Sequence, residues 1–217
     1  MRTFFDRVAR RYDRSFAPSA AETAADLLGV LADLPRDGVA LDVGCGTGRA
    51  WPVLLSHPLR VIAFDASAPM LVEAARRSSA HAVARLRSDL YQRWPVSSAC
   101  ADLVMMLHSV LAHPPASAQS AQSAQGNDAE ACAAAWRHVG LEVRRVSRAG
   151  ARIAIDLPDP SWARAHLRSL GGDRYLHEDQ DVSIVAVIPE PSRVLEALDL
   201  PLRLIASGTG VRALGNL

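Results

Sequence analysis

Lysine is missing altogether: all 24 basic residues of this 217-residue chain are arginines. That removes a lysine nucleophile, a Schiff base and a P-loop lysine from its chemistry. Cysteine is scarce, and Cys45, Cys100 and Cys132 are too scattered for a disulfide framework or a zinc site. No apolar run approaches the roughly 20 residues of a bilayer span. The opening MRTFFDRVARRYDRSF is Arg-rich but lacks the apolar core of a secretory signal. A net charge of +1 gives no whole-protein field to attract nucleic acid or an anionic membrane. With 49% hydrophobic and 22% charged residues, the chain suits one cytoplasmic globular domain, expected to bind no metal, nucleic acid or membrane.

What is present alternates between strand and helix. Phe4, Phe5, Val8 and Tyr12 recur at helical spacing, and Ala20 to Leu34 continues the pattern, so residues 1–35 read as a helical cap. Pro35 to Gly38 is a turn. Strands are expected over Val39–Val43, Arg60–Asp65, Val83–Asp89, Asp102–Leu107 and Ala151–Leu157. Helices are expected over Arg49–Ser56, Pro69–Ser78 and Asn127–Arg148. The last carries Trp136, Val139, Val143 and Val146 on one stripe, Arg144, Arg145 and Arg148 at its end, and Gly150 as its stop. This order predicts an α/β fold, a doubly wound and mostly parallel sheet with a helical N-terminal extension. Residues 36–157 are expected to form the core of this fold. Residues 114–127, with three Ser-Ala-Gln triplets from Ser117 to Gln125, read as a flexible surface insertion, or else as a lid leaving the carboxyl edge of the sheet.

The informative segment is Leu41-Asp42-Val43-Gly44-Cys45-Gly46-Thr47-Gly48-Arg49. Glycines at alternate positions after a buried strand let the backbone turn tightly and approach a ligand, and the next helix offers its free N–H groups there. A dinucleotide fold wants G-x-G-x-x-G, and Arg49 occupies the place of its third glycine. Ala40 to Arg49 instead resembles the first motif of class I S-adenosylmethionine-dependent methyltransferases. Phe64-Asp65-Ala66-Ser67-Ala68-Pro69-Met70-Leu71 resembles their second motif, and Ser88-Asp89-Leu90 follows the third strand where the family places another acidic residue. The resemblance implies S-adenosylmethionine as cofactor. The glycine loop (Gly44, Cys45, Gly46, Gly48) and Asp42 would hold its methionine part, Asp65 its ribose hydroxyls, and Asp89 and Leu90 its adenine, with Ala66, Met70 and Leu107 alongside. Phe5 to Asp13 resembles the opening helix of the quinone-biosynthesis branch, in which the tyrosine, here Tyr12, closes over the cofactor. Val143 to Ile153 resembles a late motif that shapes the sheet.

His108 and His113, just past the fourth strand, are the catalytic candidates, since histidine titrates in the range useful to a general base. The resemblance implies methyl transfer to an O, N or C atom of a small-molecule acceptor. A protein of the same fold that binds the cofactor without methylating is the alternative, and a nicotinamide oxidoreductase is disfavoured by Arg49. No signature of amide or adenine methylation is present. Residues 158–217 are read as acceptor-side and C-terminal strands, with strands at Asp181–Ile188 and Leu202–Ser207 and a helix at Pro191–Leu198. Trp162, His166, Tyr175 and His177 fall between the fifth and sixth strands, where the acceptor pocket is often roofed. The end at Val211–Leu217 looks short, so the sheet is expected to be trimmed or the tail to pair with a partner, as in a homodimer.

Overall fold

A computed structural model describes residues 2–15, 27, 29–32, 34–77, 82–115, 127–207 and 210–217. The expected helix over Ala20–Leu34 falls largely outside them, with residues 29–31 helical, and the Ser-Ala-Gln triplets lie wholly outside.

Seven strands form one sheet: β1 (Val39–Val43), β2 (Arg60–Asp65), β3 (Val83–Arg87), β4 (Ala101–Met106), β5 (Ser147–Pro158), β9 (Leu202–Ser207) and β10 (Gly210–Asn216). They lie in the order β3-β2-β1-β4-β5-β10-β9. β1 runs parallel to both neighbours, with Leu41 opposite Ile62 on one side and Val104 on the other. Every residue of β1 is buried, as a strand covered on both faces must be. Val39, Leu41 and Val43 enter one core with Trp136, Val139, Val143 and Val146 of the long helix α5 (Asn127–Val146). Ala40 enters the other with Leu103, Met105 and Trp51. Strand order reverses between β1 and β4, which opens a crevice at their carboxyl ends.

The N-terminal pattern is two short helices, α1 (Arg2–Val8) and α2 (Tyr12–Ser15). The helix after the glycine loop, α3, is only Trp51–Leu54. α4 (Ala68–Ala75) begins at Ser67, whose hydroxyl accepts the Met70 N–H at 3.3 Å.

Three expectations need correction. The long helix ends at Val146 rather than Arg148, because Ser147 pairs with Ala101 and starts β5. Arg148, past the helix end, binds Asp102 at 2.6 Å and the Ala99 carbonyl at 3.3 Å, and Gly150 sits inside the strand with φ +79°. The strand near 181–188 does not join the main sheet. It is β8 (Val182–Val187) of a second, antiparallel sheet with β6 (Arg168–Gly171) and β7 (Arg174–Asp179). That sheet follows α6 (Pro160–His166) and precedes α7 (Pro191–Leu198), which lies where it was expected. Finally, the sheet is not trimmed: the closing segment is β10, inserted antiparallel between β5 and β9. No described helix is long and apolar enough to cross a membrane.

Candidate active site

A cleft enclosing about 820 Å³, its open mouth included, lies at the carboxyl ends of β1, β2 and β4. Its floor is the glycine loop. The Gly44 and Cys45 N–H groups both donate to the Phe64 carbonyl, at 2.8 and 3.1 Å, so the end of β1 curls over β2. Gly44, Gly46 and Gly48 all have positive φ. A side chain on Gly44 would strike Val110, while one on Gly46 would meet open space.

Asp65 ends β2 and binds the loop: Oδ2 accepts the Gly46 N–H at 2.9 Å and Oδ1 the Ser67 N–H at 2.8 Å. Burial raises its pKa, against the pull of those amides. Each carboxylate oxygen retains a second lone pair for a ligand hydroxyl. Asp89 lines the adjoining wall, and its Oδ1 accepts the Tyr91 N–H at 3.0 Å. Ala66, Met70, Leu90 and Leu107 also line the cleft, as do Gly44, Cys45 and Gly46.

Two residues assigned to the cofactor from the sequence lie elsewhere. Asp42 is 3% exposed and accepts the Trp51 indole N–H at 3.0 Å, behind the loop rather than in the cleft. Burial raises its pKa to about 7, with the indole N–H opposing and Asp65 adding to the rise. Gly48 is also outside the lining, and a Cβ there would sit 2.7 Å from the Trp51 ring.

The N-terminal helices form the near wall. Tyr12 faces the cleft, its hydroxyl pushed up to about 12 by burial, with Arg49 pulling down and Asp65 and Asp13 pushing up. Asp13 accepts the Thr47 hydroxyl at 2.6 Å, lies 3.7 Å from Arg49 and pairs with Arg77. Asp6 accepts the Ser67 hydroxyl at 2.6 Å. On the opposite side Arg11 binds Asp179 of β7 at 2.6 Å, and Arg7 pairs with Asp181. Phe5, Thr47, Arg49, Ser67, Ser88 and Val110 also line the cleft, and the sequence reading assigned a cofactor or catalytic role to none of them. For Arg49 there was a signal: it stands where a third glycine would otherwise give the backbone room.

Both candidate histidines line the far end. Burial lowers the His108 pKa to about 4, helped by Arg49 and Arg212 and opposed by Asp156 and Asp13. His113 falls to about 4 through burial and the nearby His177, against a Val185 carbonyl. Its ring meets Phe5 edge-on at 5.3 Å. Both imidazoles are therefore neutral at physiological pH, able to accept a proton but weakly basic. Of the four residues expected between the fifth and sixth strands, Tyr175 and His177 lie on β7, Tyr175 buried beside Ala112 and the His177 ring tilted against Phe4 at 6.0 Å, while Trp162 and His166 of α6 stack on each other at the surface. None of these four lines the cleft.

Residues 40–127 match a sequence family described as a methyltransferase domain. No curated protein matches the chain. Among solved structures, an S-adenosylmethionine-dependent methyltransferase from Clostridium acetobutylicum aligns with a TM-score of 0.70 at 14% identity, over 98% of each chain. The complex of DhpI with SAM and HEP aligns at 0.68 and 22% identity, over 98% of this chain and 94% of that one. CalS10, an amino pentose methyltransferase from Micromonospora echinaspora, aligns at 0.60 and 15%, over 95% of each. At these identities the likeness is one of fold. The chain has the class I S-adenosylmethionine-dependent methyltransferase fold, with extra helices at its N-terminus.

Proposed function

We propose that this chain transfers the methyl group of S-adenosylmethionine to an O, N or C atom of a small-molecule acceptor, working in the cytoplasm, where its three free cysteines would persist as thiols. One observation carries the reading. The glycine loop, Asp65 and Asp89 border a single cleft, and two neutral histidines stand at its far end.

The lining fits the cofactor. Gly44, Cys45 and Gly46 expose backbone to its amino-acid part, Asp65 offers acceptor lone pairs to ribose hydroxyls, and Asp89 with Leu90 suits an adenine ring. Ala66, Met70 and Leu107 supply apolar contact, and Tyr12 covers the site. Asp42 and Gly48 act from behind, by holding Trp51 and the turn. The cofactor supplies an electrophilic methyl on a sulfonium. The chain's own task is to hold the acceptor in line with it, which can contribute about 7–11 kcal/mol. His108 and His113 would receive or position the acceptor's proton. CalS10, named for calicheamicin biosynthesis, supports a small acceptor. The quinone-biosynthesis branch rests only on Phe5 to Asp13.

Calorimetric titration with S-adenosylmethionine and S-adenosylhomocysteine, with NADH as control, tests the reading. Micromolar binding of the first two and none of the third is expected. Binding of NADH alone would reverse it.

A further inference from the structure

The acceptor end of the cleft depends on a residue from the last strand of the chain. His108 and Ser109 both hold left-handed backbone, with φ 59° and 60°, a conformation that residues other than glycine seldom adopt. What fixes them lies outside their loop. The His108 N–H donates to Oδ2 of Asp156 at 3.1 Å, and Oδ1 of Asp156 accepts Nε of Arg212 at 2.7 Å. Asp156 and Arg212 face each other across β5 and β10, with side chains only 16% and 8% exposed. A carboxylate buried this far needs its guanidinium, and the charged bond fixes its orientation. On the other side of the loop the His108 ring lines the cleft, with Nε2 buried and lacking a hydrogen-bond partner in the protein. An unpaired buried nitrogen is costly to keep. The ring is held there from behind.

We propose that the Arg212–Asp156 pair is the positioning element of the acceptor end: through the His108 amide it sets the His108–Ser109 backbone and presents the imidazole to the incoming acceptor. The proposal rests on the methyltransferase reading of the cleft. Neither Asp156 nor Arg212 lines the cleft, so the pair acts only through His108. It also gives β10 a task beyond filling the sheet.

The test is the full chain carrying Asp156→Val together with Arg212→Met. Exchanging a buried ion pair for apolar side chains is often tolerated, whereas removing one partner is not. The probe is S-adenosylhomocysteine, read by calorimetry and by nuclear magnetic resonance of the His108 ring. The double variant should bind the probe within about threefold of the wild type. The shift that the probe induces in the His108 ring signals should be lost, while Arg212→Lys, which keeps a cation beside Asp156 and leaves its second oxygen to the amide, should retain it. A second double variant, Asp156→Leu with Arg212→Leu, serves if the first does not fold. Wild-type probe-induced shifts in either folded double variant overturn the proposal. A wild-type chain that does not bind the probe overturns the reading of the cleft itself, and this proposal with it.

Discussion

Asp65 latches the glycine loop through Gly46: the carboxylate that ends β2 accepts the N–H of the loop that ends β1, at 2.9 Å. One side chain thus shapes the loop and, on the proposed reading of the cleft, would also meet the ribose. Asp65→Ala should weaken S-adenosylhomocysteine binding by about 10- to 150-fold, the equivalent of a charged hydrogen bond worth roughly 1.5–3 kcal/mol. Asp65→Asn, which keeps one acceptor oxygen, should lose less. Calorimetry decides, and unchanged affinity in Asp65→Ala would sink the assignment of the cleft.

Gly46 and Gly48 separate ligand contact from folding. Both have left-handed backbone, φ 53° and 73°. A methyl at Gly48 collides with the Trp51 ring, and one at Gly46 meets nothing. Gly48→Ala should therefore destabilise the fold by about 2–4 kcal/mol, strain and overpacking combined. Gly46→Ala should cost stability only about 1–2 kcal/mol yet weaken cofactor binding, because its methyl intrudes on the cleft floor. Denaturant midpoints and titrations on the two variants check the contrast. Equal effects on both readouts would contradict it.

The legibility of the sequence followed burial. β1 and β2 matched their expected bounds because their apolar residues face two cores and end on Gly or Asp. α7 matched because Pro191 opens it and Val194 and Leu198 fall on one buried face. β6 is exposed throughout, so no apolar alternation marked it. β10 was missed because Gly210 and Gly215 dilute its pattern, and its place between β5 and β9 is a tertiary fact. Asp42 was assigned to the ligand because its position in the motif says nothing of which face of β1 it uses. It shares a face with Ala40, and that face looks toward Trp51. Phe5 reaches the cleft only because α1 folds back over the loop, a long-range contact with no local signal.

That fold-back gives a further prediction. Asp13 joins α2 to the loop through Thr47 at 2.6 Å, beside Arg49 and Arg77. It is about one-third exposed, so its ion pairs contribute little to global stability, below about 1 kcal/mol. Asp13→Ala should leave the melting temperature nearly unchanged while raising the Kd for S-adenosylhomocysteine about 3- to 10-fold, mostly through faster dissociation. Stopped-flow release measures this. A variant with wild-type release would show that the N-terminal wall does not retain the ligand.

Asp42, His108 and His113 oppose one another in their effect on stability. Asp42 titrates near 7 in the fold, because burial outweighs the Trp51 N–H. A carboxyl raised in this way binds its proton more tightly folded than unfolded, so its contribution falls as pH rises from about 4 to 7. His108 and His113 are lowered to about 4. They bind protons less tightly when folded, so the stability they contribute is lost as pH falls from about 6.5 toward 4. Asp42→Asn keeps an oxygen for the indole and removes one side of this balance. Relative to wild type it should gain stability on going from about pH 5 to pH 8, with a ceiling of about 3 kcal/mol. His108→Gln and His113→Gln should each flatten the acid limb between pH 6.5 and 4 instead. Urea midpoints at each pH read the differences directly. An Asp42→Asn variant that tracks wild type at every pH would mean that Asp42 titrates as an ordinary carboxyl and carries its charge beneath the loop at neutral pH.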